Sequence, residues 1–163
     1  MLLAFSYPFM KRITYWPQLF LGLTFNWGIV MAWVSMGNSI SIEIIVLYIS
    51  AIFWTLGYDT IYGIQDMSDD EIIGVKSTSI KFKKNIKYFV SLSYFLTSVC
   101  MFYAFRNFLG VNLFTLLLCF FLISLLYQIL IFTINDSKSC LKAFKFNNFS
   151  GMIVFFSILT KNL

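Results

Sequence analysis

The stretch that decides the fold is residues 113–134, LFTLLLCFFLISLLYQILIFTI, which contains no Lys, Arg, Asp or Glu. A helix of these 22 residues rises ~1.5 Å per residue, so it is about 33 Å long and spans a hydrocarbon layer of ~30 Å. Uncharged runs of this length are typical of transmembrane helices. The sequence therefore predicts an integral membrane protein.

Four further stretches extend this pattern along the chain. The five predicted spans are residues 19–36, 42–58, 88–105, 113–134 and 146–161. Glu43 in the second span is expected to reach the lipid surface, and the last span has only 15 uncharged residues before Lys161. Charged residues make up 12% of the chain, against about 25% in soluble proteins. We expect an all-α integral membrane protein, a single-domain bundle of about five transmembrane helices, with residues 1–10 as the end of a preceding helix.

The basic residues are distributed unevenly between the loops of this predicted bundle. If successive helices alternate in direction, ten Lys and Arg residues fall on one side of the membrane and two on the other. The ten are Lys11, Arg12, Lys76, Lys81, Lys83, Lys84, Lys87, Lys138, Lys142 and Lys145, and the two are Arg106 and Lys161. The positive-inside rule predicts that the first side, with loop 59–87, is cytoplasmic. Because the basic residues are divided among loops, the net charge of +5 does not indicate a nucleic-acid partner.

The chain contains no His, and its three cysteines form no CxxC pair. We interpret Cys100, Cys119 and Cys140 as small apolar residues. Imidazole bases and imidazole metal ligands are excluded, so any metal ion must be held by oxygen.

Acidic residues and then lysines occupy the one sizeable polar stretch, residues 59–87. A solvated loop is the simplest interpretation of such a run. Asp59, Asp66 and Asp70, however, lie at positions i, i+7 and i+11, so on one helix they share a face within about 40°. Three carboxylates at a membrane boundary repel one another, and Mg²⁺ completed by substrate phosphates is the cation that fits best. Lys76 is then placed to complement the phosphates.

Two strings of this sequence resemble the UbiA family of intramembrane prenyltransferases. Residues 58–78, YDTIYGIQDMSDDEIIGVKST, look like the second aspartate-rich motif of that family. Residues 7–18, YPFMKRITYWPQ, resemble another of its segments. Asn147 and Asn148 with Gly151 are similar to the last helix of the branch that prenylates 4-hydroxybenzoate in ubiquinone biosynthesis. The resemblance covers essentially the whole chain.

This resemblance implies that the chain forms the C-terminal five helices of a nine-helix bundle and that the bundle lies in a bacterial inner membrane. The implied reaction transfers a polyprenyl group from polyprenyl diphosphate to 4-hydroxybenzoate with Mg²⁺, although related members act on homogentisate, naphthoate or haem. The first aspartate-rich motif of the family has no counterpart in these residues. The chain is therefore expected to be a fragment, one half of a split gene or the product of a decayed gene. We expect it to be inactive alone, with a separately encoded N-terminal half as a partner.

The metal ligands implied by the resemblance are aspartates of the second motif. Asp66 and Asp70 are expected to bind Mg²⁺, with Asp59 as a third ligand or as a residue that orients the others. Asp69 and Glu71 point away from the shared face, so we expect them to be solvated.

Five further residues are expected to serve the substrates. Tyr62 lies about 60° from Asp59 on the same helix and is expected either to support the site or to anchor the membrane interface. Tyr7 and Lys11 match a Tyr-x-x-x-Lys pattern of the family. Lys76 is expected to complement the diphosphate, and Lys11 and Arg12 are expected to reach either the diphosphate or the substrate carboxylate. Arg12 is assigned, with Tyr7, to substrate binding, since Arg favours bidentate contacts with anions.

An alternative function is a non-catalytic membrane subunit or a divalent-cation transporter. Transport predicts acidic residues at the middle of the membrane, whereas diphosphate chemistry predicts them at its boundary.

Overall fold

The computed structural model describes residues 9–160, which are helical apart from short connections. The helices are α1 (Pro17–Phe25), α2 (Trp27–Ser35), α3 (Ile42–Tyr62), α4 (Met67–Ile73), α5 (Thr78–Lys81), α6 (Ile86–Ala104), α7 (Leu113–Ile131) and α8 (Ser137–Thr160). Short 3₁₀ turns lie at Lys83–Asn85 and Arg106–Phe108. Residues 9–13 are also helical, but most of the helix end predicted for residues 1–10 lies outside the described residues.

Four helical segments in the described part of the chain are long and apolar enough to cross a membrane. They are Pro17–Ser35, Ile42–Tyr62, Lys83–Ala104 and Leu113–Ile131. Each overlaps one of the spans predicted from the sequence, so the all-α membrane fold class is confirmed.

Helix α8 contains the fifth predicted span, residues 146–161, but is not one of these four segments. It is 24 residues long, and Lys138, Lys142 and Lys145 lie in its first half. Lys161, which was expected to lengthen the span, lies outside the described residues. A fifth crossing therefore stays a prediction.

Helix α3 is the centre of the bundle and packs against α1, α6 and α8. The most extensive contact is with α6, where the Tyr94 ring lies directly on Gly57. A Cβ atom at Gly57 would stand 2.3 Å from the nearest ring carbon of Tyr94. Only the absence of a side chain at residue 57 allows the two helices to lie this close.

A buried polar network joins α6, α7 and α8. The Tyr94 hydroxyl donates to Gln128 Oε1 at 2.6 Å, and Gln128 Nε2 donates to Ser150 Oγ at 2.9 Å. Ser124 Oγ also donates to Ser150 Oγ, at 2.8 Å. Because lipid supplies no competing partners, such bonds between helices help to hold a membrane bundle together.

Asn26 marks the break between α1 and α2. Its side-chain amide lies 2.9 Å from the Gly22 carbonyl and reaches α3, where it donates to Thr55 Oγ1 at 2.8 Å. One residue thus interrupts the first span and fastens it to the central helix. This contact joins the end of α1 to the interior of α3.

Candidate active site at the end of the central helix

A small pocket opens where α3 ends. Its volume is about 60 Å³, room for a few water molecules or the head of a ligand. Its lining residues are Lys11, Pro17, Gln18, Asp59, Tyr62, Gly63, Asp66 and Asp70. The structure thus brings together the three aspartates singled out in the sequence, with Lys11 and Tyr62.

The three aspartates converge through a break in the helix. Helix α3 ends at Tyr62, and the Gly63 N–H donates to the Asp59 carbonyl at 2.9 Å. A turn follows, and α4 begins after Asp66, so that Asp70 lies in its first turn. The expectation of one continuous helix carrying all three carboxylates is therefore wrong. The turn, rather than a helical repeat, directs them to one pocket.

The pocket carries an excess of negative charge. The ion pairs within 4 Å among residues 9–160 join Glu71 to Lys83 and Glu43 to Arg106, each at 2.7 Å. No pair of this kind involves Asp59, Asp66 or Asp70, and Lys11 is the one cationic side chain among the described lining residues. Three carboxylates facing one ammonium group favour the binding of a further cation.

Behind the pocket lies a buried group of polar side chains that the sequence analysis missed. Thr60 and Thr78 share a hydrogen bond of 2.7 Å between their hydroxyls, and Ser79 Oγ donates to the Thr60 carbonyl at 2.8 Å. The Thr78 N–H donates to Gln18 Oε1 at 3.0 Å. Each of these four residues is at least 96% buried. A short polar run after an acidic loop carries no periodic signal, so burial was not predictable from the sequence.

The group packs against Gly63 at the end of α3. A Cβ atom there would lie 2.6 Å from Ser79 Oγ and 3.3 Å from Gln18 Nε2. A glycine at this position lets the loop that carries Ser79 close over the helix end. The wall of the pocket is fixed by this contact.

Comparison with known proteins identifies the family of the chain. Residues 1–152 match the UbiA prenyltransferase family. The chain belongs to this family.

Relatives within and beyond bacteria support this membership. The mitochondrial 4-hydroxybenzoate polyprenyltransferase of Bos taurus is 42% identical over 169 residues, covering 100% of this chain and 44% of that protein. The 4-hydroxybenzoate octaprenyltransferase of Pseudomonas putida is 38% identical over 162 residues, covering 96% of this chain and 53% of that protein. The chain thus spans about half the length of these curated relatives.

A solved structure shares the fold of this UbiA family member. The apo structure of a UbiA homolog from Aeropyrum pernix K1 superposes with a TM-score of 0.78. The match covers 99% of this chain and 61% of that one, at 20% identity. The expected correspondence to part of a UbiA-type bundle is confirmed.

Other residues assigned from the UbiA resemblance lie at different distances from the pocket. Lys76 is not among its lining residues: its backbone N–H donates to the Lys11 carbonyl at 2.8 Å and its ammonium group to the Ile13 carbonyl at 3.2 Å. Arg12 is exposed and does not line the pocket, and Tyr7 lies outside the described residues. Lys76 thus braces the segment that carries Lys11.

Tyr62 lines the pocket and packs on α8, with its ring centroid 4.7 Å from that of Phe144. Its side chain is 40% exposed. The ring is therefore held at the mouth of the pocket, with part of its surface open to a ligand.

The carboxylates fit a metal ion that is shared with a ligand. Among residues 9–160, no group of three or more acidic or cysteine side chains could hold a metal ion. Mg²⁺ usually binds one or two carboxylates and completes its shell with waters and phosphates. Asp59, Asp66 and Asp70 around one pocket suit that mode of binding better than a closed protein cage. The assignment of Mg²⁺ to them stays a prediction.

Proposed function

We propose that this chain forms part of an Mg²⁺-dependent prenyltransferase that transfers a polyprenyl group from polyprenyl diphosphate to the ring of 4-hydroxybenzoate in ubiquinone biosynthesis. The observation that carries the proposal is the pocket at the end of α3, where three carboxylates without an ion pair among residues 9–160 meet Lys11 and Tyr62. The names of the relatives support the two substrates.

In this proposal Asp66 and Asp70 would hold Mg²⁺ at the pocket that receives the diphosphate end of the donor, and Asp59 would be a third ligand or would orient the other two. When bound, the ion acts as a Lewis acid that stabilises the negative charge developing on the leaving group. Lys11 adds positive charge at the same pocket, and Lys76 keeps the segment of Lys11 in place.

The same stabilisation favours departure of the diphosphate from the allylic carbon of the donor. The ring carbon ortho to the acceptor hydroxyl then forms the new bond to that allylic carbon, and the proton of this ring carbon is lost. We assign Tyr62 to support of the ligand at the mouth of the pocket. Tyr7 and Arg12 are assigned to the substrate on the resemblance of residues 7–18.

The transport alternative receives less support from the position of the acids. Glu43 and Asp59 lie near opposite ends of α3. The buried polar residues near the middle of the described spans are uncharged, among them Thr55, Thr97 and Ser124. A path for divalent cations requires ionisable or otherwise coordinating groups along the membrane interior.

We place the pocket on the cytoplasmic side of a bacterial inner membrane, and the distribution of basic residues supports this orientation. Ser39 is exposed between α2 and α3. In a cysteine-free chain, Ser39→Cys should react with an impermeant maleimide in intact spheroplasts, whereas exposed Ser68→Cys should react only after permeabilisation. Reversal of these two results would overturn the proposed topology.

The reaction itself is tested by complementation. The chain is co-expressed with the N-terminal four helices of a related enzyme, and isolated membranes receive radiolabelled 4-hydroxybenzoate, polyprenyl diphosphate and Mg²⁺. We expect prenylated product only when both parts are present, because the first aspartate-rich motif has no counterpart in this chain.

Membranes that contain either part alone are the controls for this assay. No product from the two parts, although both are inserted and associated, would contradict the proposed reaction. Product from this chain alone would show that one aspartate cluster suffices.

A further inference from the structure

We propose that Gln18 is a ligand-binding residue, whose side-chain N–H groups donate to an anionic oxygen of the molecule bound in the pocket. This inference rests on the proposed function of that pocket. The feature behind it is the amide of Gln18, which among residues 9–160 is held by its oxygen end only.

The orientation of the Gln18 amide follows from its partner. The backbone N–H of Thr78 can only donate, so the group facing it at 3.0 Å must be the carbonyl oxygen Oε1. The nitrogen Nε2 is then the free end of the amide. No hydrogen bond of Nε2 to another described residue is present, although the side chain is 4% exposed and lines the pocket.

The amide is held rigidly in this orientation. Thr78 is fixed through its hydroxyl contact with Thr60 at the end of α3. Gly63 leaves space for Nε2, since a Cβ atom there would stand only 3.3 Å away. A donor fixed in advance loses little conformational entropy when it binds a ligand.

The chemistry of the pocket points to an oxygen as the partner of Nε2. The amide nitrogen has two N–H donors and no acceptor capacity. The proposed ligands carry two kinds of anionic oxygen, those of the diphosphate and that of the benzoate carboxylate. Hydrogen bonds to charged groups are stronger than those between neutral groups. Because three carboxylates nearby repel an anion, neutral N–H donors are needed to hold it.

The test measures binding to the purified full chain in lipid nanodiscs. The probes are inorganic diphosphate with Mg²⁺ and, separately, 4-hydroxybenzoate, followed by isothermal titration calorimetry. Gln18→Met removes the donor with little change in side-chain length. Gln18→Glu also removes it but keeps an oxygen to accept from Thr78. Both should lower the affinity for one probe by about 10-fold to 100-fold.

The probe affected tells which ligand Gln18 contacts: loss for diphosphate identifies the prenyl donor, and loss for 4-hydroxybenzoate identifies the acceptor. Gln65→Met, the same change outside the pocket lining, should leave both affinities unchanged. Thermal stability of each variant is measured alongside, so that a loss of affinity through unfolding is separated from the loss of the donor; the added carboxylate of Gln18→Glu is expected to lower the stability because it is buried near three others.

Unaltered affinity of Gln18→Glu for both probes would refute the role of Gln18 while leaving the proposed function intact. An equal loss in Gln65→Met would also refute it, by showing a general loosening. If the unaltered chain binds neither probe even when it is co-purified with the N-terminal four helices of a related enzyme, the proposed function of the pocket fails and this inference fails with it.

Discussion

Asp66→Ala is expected to lower prenyl transfer in the complemented membranes by at least about a hundredfold, which corresponds to ~3 kcal/mol in the activation barrier. The reason is that Asp66 lines the pocket without an ion-pair partner among the described residues. Its carboxylate also makes no capping bond to α4. The substitution should therefore reduce turnover without unfolding the chain, as measured by product formation per amount of inserted protein.

Asp69→Ala is the matched control for this experiment. Asp69 has the same side chain three residues further on, but it is exposed and does not line the pocket. We expect its loss to change turnover only slightly. Equal activity of the two variants would show that the pocket does not distinguish them and that the metal assignment is wrong.

Gly57→Ala is expected to destabilise the bundle by roughly 2 kcal/mol or more, since overpacking a tight interior usually costs about 1–3 kcal/mol. The new methyl group would meet the Tyr94 ring at 2.3 Å. That ring cannot simply turn aside, because its hydroxyl is bonded to Gln128. The gain of about 1 kcal/mol in helix propensity offsets only part of the cost. Denaturant titration of the chain in detergent micelles measures the change.

The control is Gly28→Ala in α2, where a Cβ atom would meet nothing within 4 Å. There the gain in helix propensity is unopposed, so the free energy of unfolding should stay constant or rise. A Gly57→Ala variant as stable as the parent protein would mean that α3 and α6 lie further apart than described.

The membrane spans were predictable because lipid permits few charged side chains over ~30 Å. The overlap of 113–134 with α7 follows from that restriction alone. The interruption of the first span could not be predicted in the same way. Asn26 is one polar residue in an apolar run, and its role depends on Thr55 and Ala51 on another helix.

Five of the eight residues assigned to the site line one pocket, whereas Lys76 and Arg12 do not, and the roles of all of them stay predictions. The spacing of Asp59, Asp66 and Asp70 suggested a shared face, and all three do line one pocket. The helix break at Gly63 was not expected, because it depends on the buried hydroxyl of Ser79 packing over the helix end. Contacts of this kind between distant segments leave no periodic pattern.

The two hydrogen bonds from Lys76 to the segment that carries Lys11 have a mechanical consequence. They connect parts of the chain that are 63 to 65 residues apart. One part carries Lys11, whose ammonium group lines the pocket, and the other part follows Asp66 and Asp70. A rigid-body displacement of the acidic segment therefore carries Lys11 with it. Lys11 therefore stays close to Asp66 and Asp70 when that segment moves relative to α3, which carries Asp59.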